Sequence, residues 1–276
     1  MDYKIIAMDM DGTLLNDDKS ISKYNEKMIR KAMESGVKVV ISSGRLPVTL
    51  GFYIDTIFKN QPVICCNGAI ILDENKNIIK SNLLDKGAIL KVIDILREKK
   101  DTYYYFYSDS ILYGERISPS TKKFYEFNEK MDKNFKLKIE VIGDSKEFIQ
   151  DNNSNINKMV VLDKDIDYLL RLRERLNKVP KIDTTKSDMH NIEIISKNIS
   201  KGSGLKILTD YYNIPLSECI AVGNDENDES MIREAGLGIA VANAREFLKK
   251  SADYVTEKDN NNGAIGEIIK KFIICR

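Results

Sequence analysis

Two aspartates, Asp9 and Asp11, stand two residues apart in the run Asp9-Met10-Asp11-Gly12-Thr13, directly after the apolar stretch Ile5-Ile6-Ala7-Met8. In an extended chain, residues i and i+2 project to the same side, and Gly12 lets the backbone turn immediately afterwards. Crowded carboxylates repel unless a cation neutralises them, and an all-oxygen set at a strand end suits Mg2+, which favours carboxylates, water and substrate phosphate. An ordinary Asp-Gly turn with solvated aspartates is the alternative. The place after a first strand argues against it, because parallel sheets bind ligands at the carboxyl ends of their strands.

Three further clusters have similar placement. Ser42-Ser43-Gly44-Arg45 follows Val39-Val40-Ile41 and offers a hydroxyl and backbone N–H groups to a phosphoryl oxygen, although Ser-Gly is also a common loop pair. Ser200-Lys201-Gly202-Ser203-Gly204 opens a helix, where Lys201 supplies a fixed positive charge and the helix N-terminus favours an anion. It is not a Walker loop, since the lysine precedes the glycines; a capped helix start with a solvated lysine is the competing reading. Gly223-Asn224-Asp225-Glu226-Asn227-Asp228 follows Cys219-Ile220-Ala221-Val222, and helix capping explains part of its acidity. Together the four supply a nucleophilic carboxylate, a second carboxylate, phosphate-binding groups, a lysine and metal-ligating oxygens. Phosphoryl transfer needs that set.

The surrounding elements must bring these clusters to one edge. Apolar runs at Ile5–Met8, Val37–Ile41 and Pro62–Cys66 alternate with helical stretches at Ser22–Ser35 and from Pro47. Tyr24, Met28, Ala32 and Met33 are expected on the inner face of the first helix. The last third repeats the alternation: helix to Tyr212, strand Cys219–Val222, helix 227–235, strand Leu237–Val241, helix from Arg245. Runs apolar on both faces and separated by helices predict an α/β, doubly wound parallel sheet. Between residues 84 and 188 the strands are irregularly spaced and the chain turns polar, which predicts an inserted α+β domain, with residues 1–83 and 189–276 as the core. Asparagine-rich tracts at 152–157 and 260–262 read as loops.

Composition narrows the chemistry. With 43 basic and 42 acidic residues the net charge is +1, so no global field draws nucleic acid or an anionic membrane. His190 is the single histidine, which excludes metal sites built on two imidazoles; a hydrogen-bonded structural role is expected for it. The four cysteines show no C-x-x-C spacing and read as reduced thiols; no signal peptide or 20-residue apolar span is apparent, so a cytoplasmic protein is expected. The run Tyr103-Tyr104-Tyr105-Phe106-Tyr107 reads as a strand before it reads as a ring-stacking surface.

At this point the chain resembles the haloacid dehalogenase (HAD) superfamily of phosphohydrolases, and within it the Cof-type, IIB-capped branch. Asp9-Met10-Asp11-Gly12-Thr13-Leu14-Leu15 is similar to its first motif, Ser43-Gly44-Arg45 to its second, Ile199-Ser200-Lys201-Gly202 to its third, and Gly223 to Asp228 followed by Met231 to its fourth. Asn67-Gly68-Ala69, Gly238 to Ala244 and Ala252 to Thr256 also look like this branch. The resemblance implies a HAD-like Rossmannoid core with a C2B-type cap. Asp9 would be the nucleophile that forms an aspartyl-phosphate, and Asp11 the general acid and base. Ser43, Gly44, Gly12 and Lys201 would hold the phosphoryl oxygens. Mg2+ would be bound by Asp9, the Asp11 carbonyl, Asn224 and Asp228. Arg45, Asn67, Asp225 and Asn227 are further candidates. The family's fourth motif usually begins Gly-Asp; Asn224 there ligates without adding charge, so weaker Mg2+ binding is expected unless Asp225 or Asp228 compensates.

The expected function is a Mg2+-dependent phosphatase of small phosphorylated metabolites, sugar phosphates by default, acting as a monomer or weak homodimer with no nucleic-acid or membrane partner. A phosphotransferase such as a sugar phosphomutase would use the same Asp9 intermediate. A non-catalytic phospho-ligand binding protein is the third reading.

Overall fold

The computed structural model describes residues 2–151 and 155–275, with the side chains of residues 119, 120 and 123 left aside. Residues 152–154 of the asparagine-rich tract lie outside the described residues. In chain order the elements are β1 (Ile5–Met8), α1 (Lys23–Glu34), β2 (Lys38–Ser42), α2 (Pro47–Thr56), β3 (Val63–Cys65), β4 (Ile70–Leu72) and β5 (Ile78–Ser81). Next come α3 (Lys86–Arg97), β6 (Tyr103–Ser108), β7 (Ile111–Gly114), α4 (Pro119–Glu129), β8 (Lys138–Val141), α5 (Ser145–Asp151), β9 (Ile156–Leu162), α6 (Ile166–Leu176), β10 (Ile182–Thr185) and β11 (Asn191–Ser196). The chain closes with α7 (Lys201–Tyr212), β12 (Cys219–Gly223), α8 (Glu229–Glu234), β13 (Leu237–Ala240), α9 (Glu246–Ser251), β14 (Tyr254–Val255) and α10 (Ala264–Ile269). No helix among the described residues is long and apolar enough to cross a membrane.

These elements form two compact units. The first holds the chain up to Gly44, Tyr53–Lys80 and everything from Ser200 onward; the second holds Arg45–Phe52 and Ser81–Ile199. The boundaries differ from those read in the sequence for a physical reason. β11, assigned to the core by its position after residue 188, pairs antiparallel with both β9 and β10 and so lies inside the second sheet. Phe135 packs edge-on to Phe52 at 6.3 Å, which ties the short 45–52 stretch to the same unit.

The first sheet runs β14-β13-β12-β1-β2-β3-β4-β5. Order reverses at β1, with β2 and β3 laid out on one side and β12, β13 and β14 on the other, the topology of a doubly wound fold. All pairings from β14 to β3 are parallel, while β4 returns antiparallel on β3, a hairpin the sequence reading did not anticipate. Met8 lies beside both Ile41 of β2 and Val222 of β12, so the carboxyl ends of these three strands are level. Every residue of β1 is fully buried, the reason its run is apolar on both faces.

The first helix starts where Ser22 accepts the Asn25 N–H at 3.1 Å. Its inner face is Asn25, Met28, Ile29 and Ala32; Met28 and Ala32 are buried as expected, whereas Tyr24 is exposed and Met33 half-buried, their places taken by Asn25 and Ile29. The polar Asn25 is tolerated in the core because its Oδ1 accepts the N–H of Gly266 in α10 at 2.9 Å.

The second unit carries a sheet in the order β10-β11-β9-β6-β7-β8. The aromatic run is indeed a strand: Tyr104 and Phe106 of β6 join Met159 and Val161 of β9 in a core closed by α3 and α6, while Tyr105 meets Phe124 of α4 at 5.8 Å. His190 is exposed in the turn before β11, where its N–H donates to Asp188 Oδ1 at 2.8 Å.

Candidate active site

Asp9 follows β1 directly. Its N–H donates to the Val222 carbonyl at 3.0 Å, continuing the β1–β12 ladder by one bond, and the residue is only 6% exposed. Beyond it the chain does not stay extended. The Met10 carbonyl accepts the N–H groups of Leu14 at 3.1 Å and Leu15 at 2.9 Å, and Gly12 takes φ of 81°, so Asp11 is placed by a tight turn and not by strand alternation. The half-exposed Asp11 carboxylate pairs with Lys19 Nζ at 2.9 Å.

Lys201 is the first residue of α7, behind a reciprocal cap between Ser200 and Ser203. It is wholly buried, contrary to the solvated alternative, and its Nζ lies 2.6 Å from Asp9 Oδ1 and 2.6 Å from Asp228 Oδ1. Burial alone would discharge this lysine, but the Asp228 and Asp9 carboxylates outweigh it and hold the ammonium well above its usual range. For Asp9 burial is the largest effect; Lys201 opposes it, Asp228 and Asp11 add to it, and the carboxyl is raised to about 7.

The other Asp228 oxygen, Oδ2, accepts the N–H groups of Asn224 at 2.8 Å and Asp225 at 3.1 Å, which folds the loop after β12 around this one carboxylate. Asp228, expected among the metal ligands, thus has both oxygens engaged by the protein. Gly223 is required here because a Cβ on it would come 2.3 Å from Asp228 Cβ. Asp225 faces Arg245 at 3.4 Å and caps the following turn through the Glu226 N–H at 2.7 Å. Asn227 donates to Asn67 Oδ1 at 3.2 Å, joining two residues singled out separately in the sequence.

The Ser43 N–H donates to the Ile64 carbonyl at 2.8 Å, and the Ser43 carbonyl accepts the Asn67 N–H at 3.0 Å, so Ser43 is buried between β3 and the turn at Asn67. That turn holds Cys66 and Asn67 at positive φ and presses Gly68 against the start of α7. Gly44 is half-buried at the end of the first unit's opening segment, and Arg45 belongs with the second unit.

Three side chains at the site were not among the residues expected there. Thr13 is fully buried with its hydroxyl 2.9 Å from the Asn224 side-chain end, Asn243 donates to the Gly12 carbonyl at 2.8 Å, and Lys19 pairs with Asp11. Thr13 stood inside the first motif and Asn243 inside the Gly238 to Ala244 stretch; Lys19 meets the site only through the fold.

Among the described residues no group of three or more His, Cys, Asp or Glu side chains is arranged for a metal ion. The oxygens that do converge are of mixed kind: the Asn224 side-chain end lies 3.1 Å from the Asp11 carbonyl and 3.3 Å from Asp9 Oδ2. One carboxylate, one carbonyl and one carboxamide form a hard-oxygen set that fits Mg2+ with water completing the shell.

Residues 6–269 match the haloacid dehalogenase-like hydrolase family, and the chain belongs to it. It is an enzyme, a hydrolase of phosphate monoesters. A 5-amino-6-(5-phospho-D-ribitylamino)uracil phosphatase of Bacillus subtilis, YcsE, is 31% identical over 274 residues, covering 99% of this chain and 97% of its own. A haloacid dehalogenase-like hydrolase structure from B. subtilis superposes with TM-score 0.87 at 28% identity, covering 98% of this chain and all of that one. A subclass IIB sugar phosphatase shares the fold at TM-score 0.81 and 22% identity, covering 98% of both chains.

Proposed function

We propose that this chain is a Mg2+-dependent phosphatase of small phosphorylated metabolites, with sugar phosphates as the default class, working through an aspartyl-phosphate on Asp9. The observation that carries the reading is the fully buried Lys201, held at 2.6 Å from both Asp9 and Asp228. A cation buried at such desolvation cost is worth keeping where it faces an incoming dianion. The relative named for a phosphoribityl compound supports a small polyol or sugar ester as substrate class.

In this mechanism the Asp9 carboxylate attacks phosphorus as the bond to the leaving oxygen breaks, and Asp11 gives that oxygen its proton. Asp11, now ionised, takes a proton from the water that attacks the aspartyl-phosphate, releasing inorganic phosphate and restoring Asp9. Lys201, Ser43 and the N–H groups around Gly44 and Gly12 hold the phosphoryl oxygens. Bound Mg2+ would neutralise charge between nucleophile and substrate. Asp9, the Asp11 carbonyl and Asn224 would hold it, while Asp228 fixes Lys201 and the loop. The second unit is read as the cap that selects the leaving group.

Phosphate release from a panel of phosphorylated metabolites, with Mg2+ and no added acceptor, tests this directly. Asp9→Asn is expected to abolish release with the fold retained. Normal turnover by that variant, or release only when a sugar acceptor is added, would sink the phosphatase mechanism.

A further inference from the structure

Asn224 stands where two oxygens point at the same spot. The end of its carboxamide nearest the nucleophile loop lies 2.9 Å from Thr13 Oγ1, 3.1 Å from the Asp11 carbonyl and 3.3 Å from Asp9 Oδ2. With an oxygen at that end, the Thr13 hydroxyl donates to it, but the Asp11 and Asp9 oxygens face only lone pairs. With the nitrogen there, its two N–H groups have acceptors in both of them. The two orientations occupy the same volume, and the opposite end of the amide sits over Gly12, where a Cβ would come within 2.6 Å of it. Gly12 therefore leaves room for either end.

We infer that Asn224 is a positioning residue that occupies the cation's role in the metal-free enzyme: its amide nitrogen donates to the Asp11 carbonyl and Asp9 Oδ2, and a half-turn about its last side-chain bond presents the oxygen when a cation enters. The half-turn rests on the Mg2+ reading above; the metal-free hydrogen bonds do not. An aspartate at this position would add a fourth carboxylate to Asp9, Asp11 and Asp228, with Lys201 and Lys19 as the opposing cations. Such a site would be less stable without metal. The asparagine avoids that added repulsion, and each metal-binding event must first break two hydrogen bonds.

Thermal unfolding of Asn224→Asp and the unmodified chain, each in EDTA and in ~10 mM Mg2+, tests this, with expected shifts following from mass-action stabilisation and buried-charge repulsion. In EDTA the variant is expected to melt about 4–8 °C below the unmodified chain and to recover most of the difference with Mg2+. In the unmodified chain, the Asn224 side-chain amide protons are expected to exchange slowly in EDTA and to shift on Mg2+ addition, read by NMR with the variant identifying the resonances. A variant as stable as the unmodified chain in EDTA, or a freely exchanging Asn224 amide, overturns the inference. Should the variant not fold in either buffer, amide exchange in the unmodified chain decides. Slow exchange with no calorimetric heat of Mg2+ binding would remove the Mg2+ reading and the half-turn while upholding the metal-free role.

Discussion

Replacing Asp228 by asparagine changes one oxygen to an NH2 group with almost no change of shape, and the geometry leaves that group nowhere to go. One oxygen of Asp228 receives the Lys201 ammonium at 2.6 Å; the other receives two backbone N–H groups at 2.8 and 3.1 Å. If the amide oxygen keeps the backbone donors, the new NH2 meets an ammonium. If it turns to Lys201, the NH2 meets two N–H groups. Either way buried donors face each other, and Lys201 loses one of its two anions. Breaking a buried charge pair from one side costs roughly 3–5 kcal/mol. At about 2–4 °C per kcal/mol for chains of this size, Tm should fall by roughly 6–20 °C. Far-UV circular dichroism suits the assay, as the chain has no tryptophan to report by fluorescence. Asp225→Asn, which keeps a side-chain oxygen to cap the following turn and gives up only the looser 3.4 Å pair with the exposed Arg245, is the control and should cost no more than about 1 kcal/mol. A fall for Asp228→Asn no larger than for that control would refute the claim that this carboxylate organises the lysine and the loop together.

Two further outcomes follow from the same geometry. Gly68→Ala puts a Cβ 2.1 Å from the Ser200 carbonyl at φ of 93°, so a loss of about 3 kcal/mol is expected, with turnover falling as the Lys201 backbone shifts. Gly36→Ala, at φ of 85° with open space around it, should cost only about 1 kcal/mol; equal losses in chemical denaturation would show that the contact at Gly68 is unimportant. Burial raises the Asp73 carboxyl, but donors from Asn77 and Asn75 outweigh it and hold the pKa below the ordinary range. A depressed folded pKa stabilises above the unfolded value near ~3.9 and is lost as pH falls through the folded value. The Tm deficit of Asp73→Asn should thus be largest near neutrality and vanish in strong acid; a deficit independent of pH would be incompatible with this.

Asp9, Ser43, Lys201 and the loop at Asn224 were legible because each directly follows an apolar run or opens a helix; β1 and β12 carry no charged residue to blur their runs, and β2 is apolar throughout Val39–Ile41. The register that puts Met8 between Ile41 and Val222 turns three separate strand ends into one edge. On α1 Met28 and Ala32 were read correctly, but Tyr24 was expected where Asn25 lies, because this polar side chain occupies a core position with a bond to Gly266. Short or exposed strands such as β5 and β8 lack the periodicity that betrays a strand. Lys19 was invisible for another reason: a surface lysine in a turn has no local mark, and only the folded chain brings it to Asp11; Asn243 lay in a stretch the resemblance covered, but its bond to Gly12 is made only by the fold.

The place of β11 in its sheet bears on how this chain can be cut and recombined. β11 lies between β10 and β9, so a module lifted out at residues 84 and 188 would leave behind the strand that joins its two neighbours. β10 would lose its partner altogether, and β9 would expose a ladder edge to solvent, an invitation to aggregate. Exchange of this module among relatives therefore has to carry residues 81–199 intact. It also has to match Phe52 to Phe135, because a transplant that ignores the 45–52 stretch separates an aromatic pair that the unit keeps together.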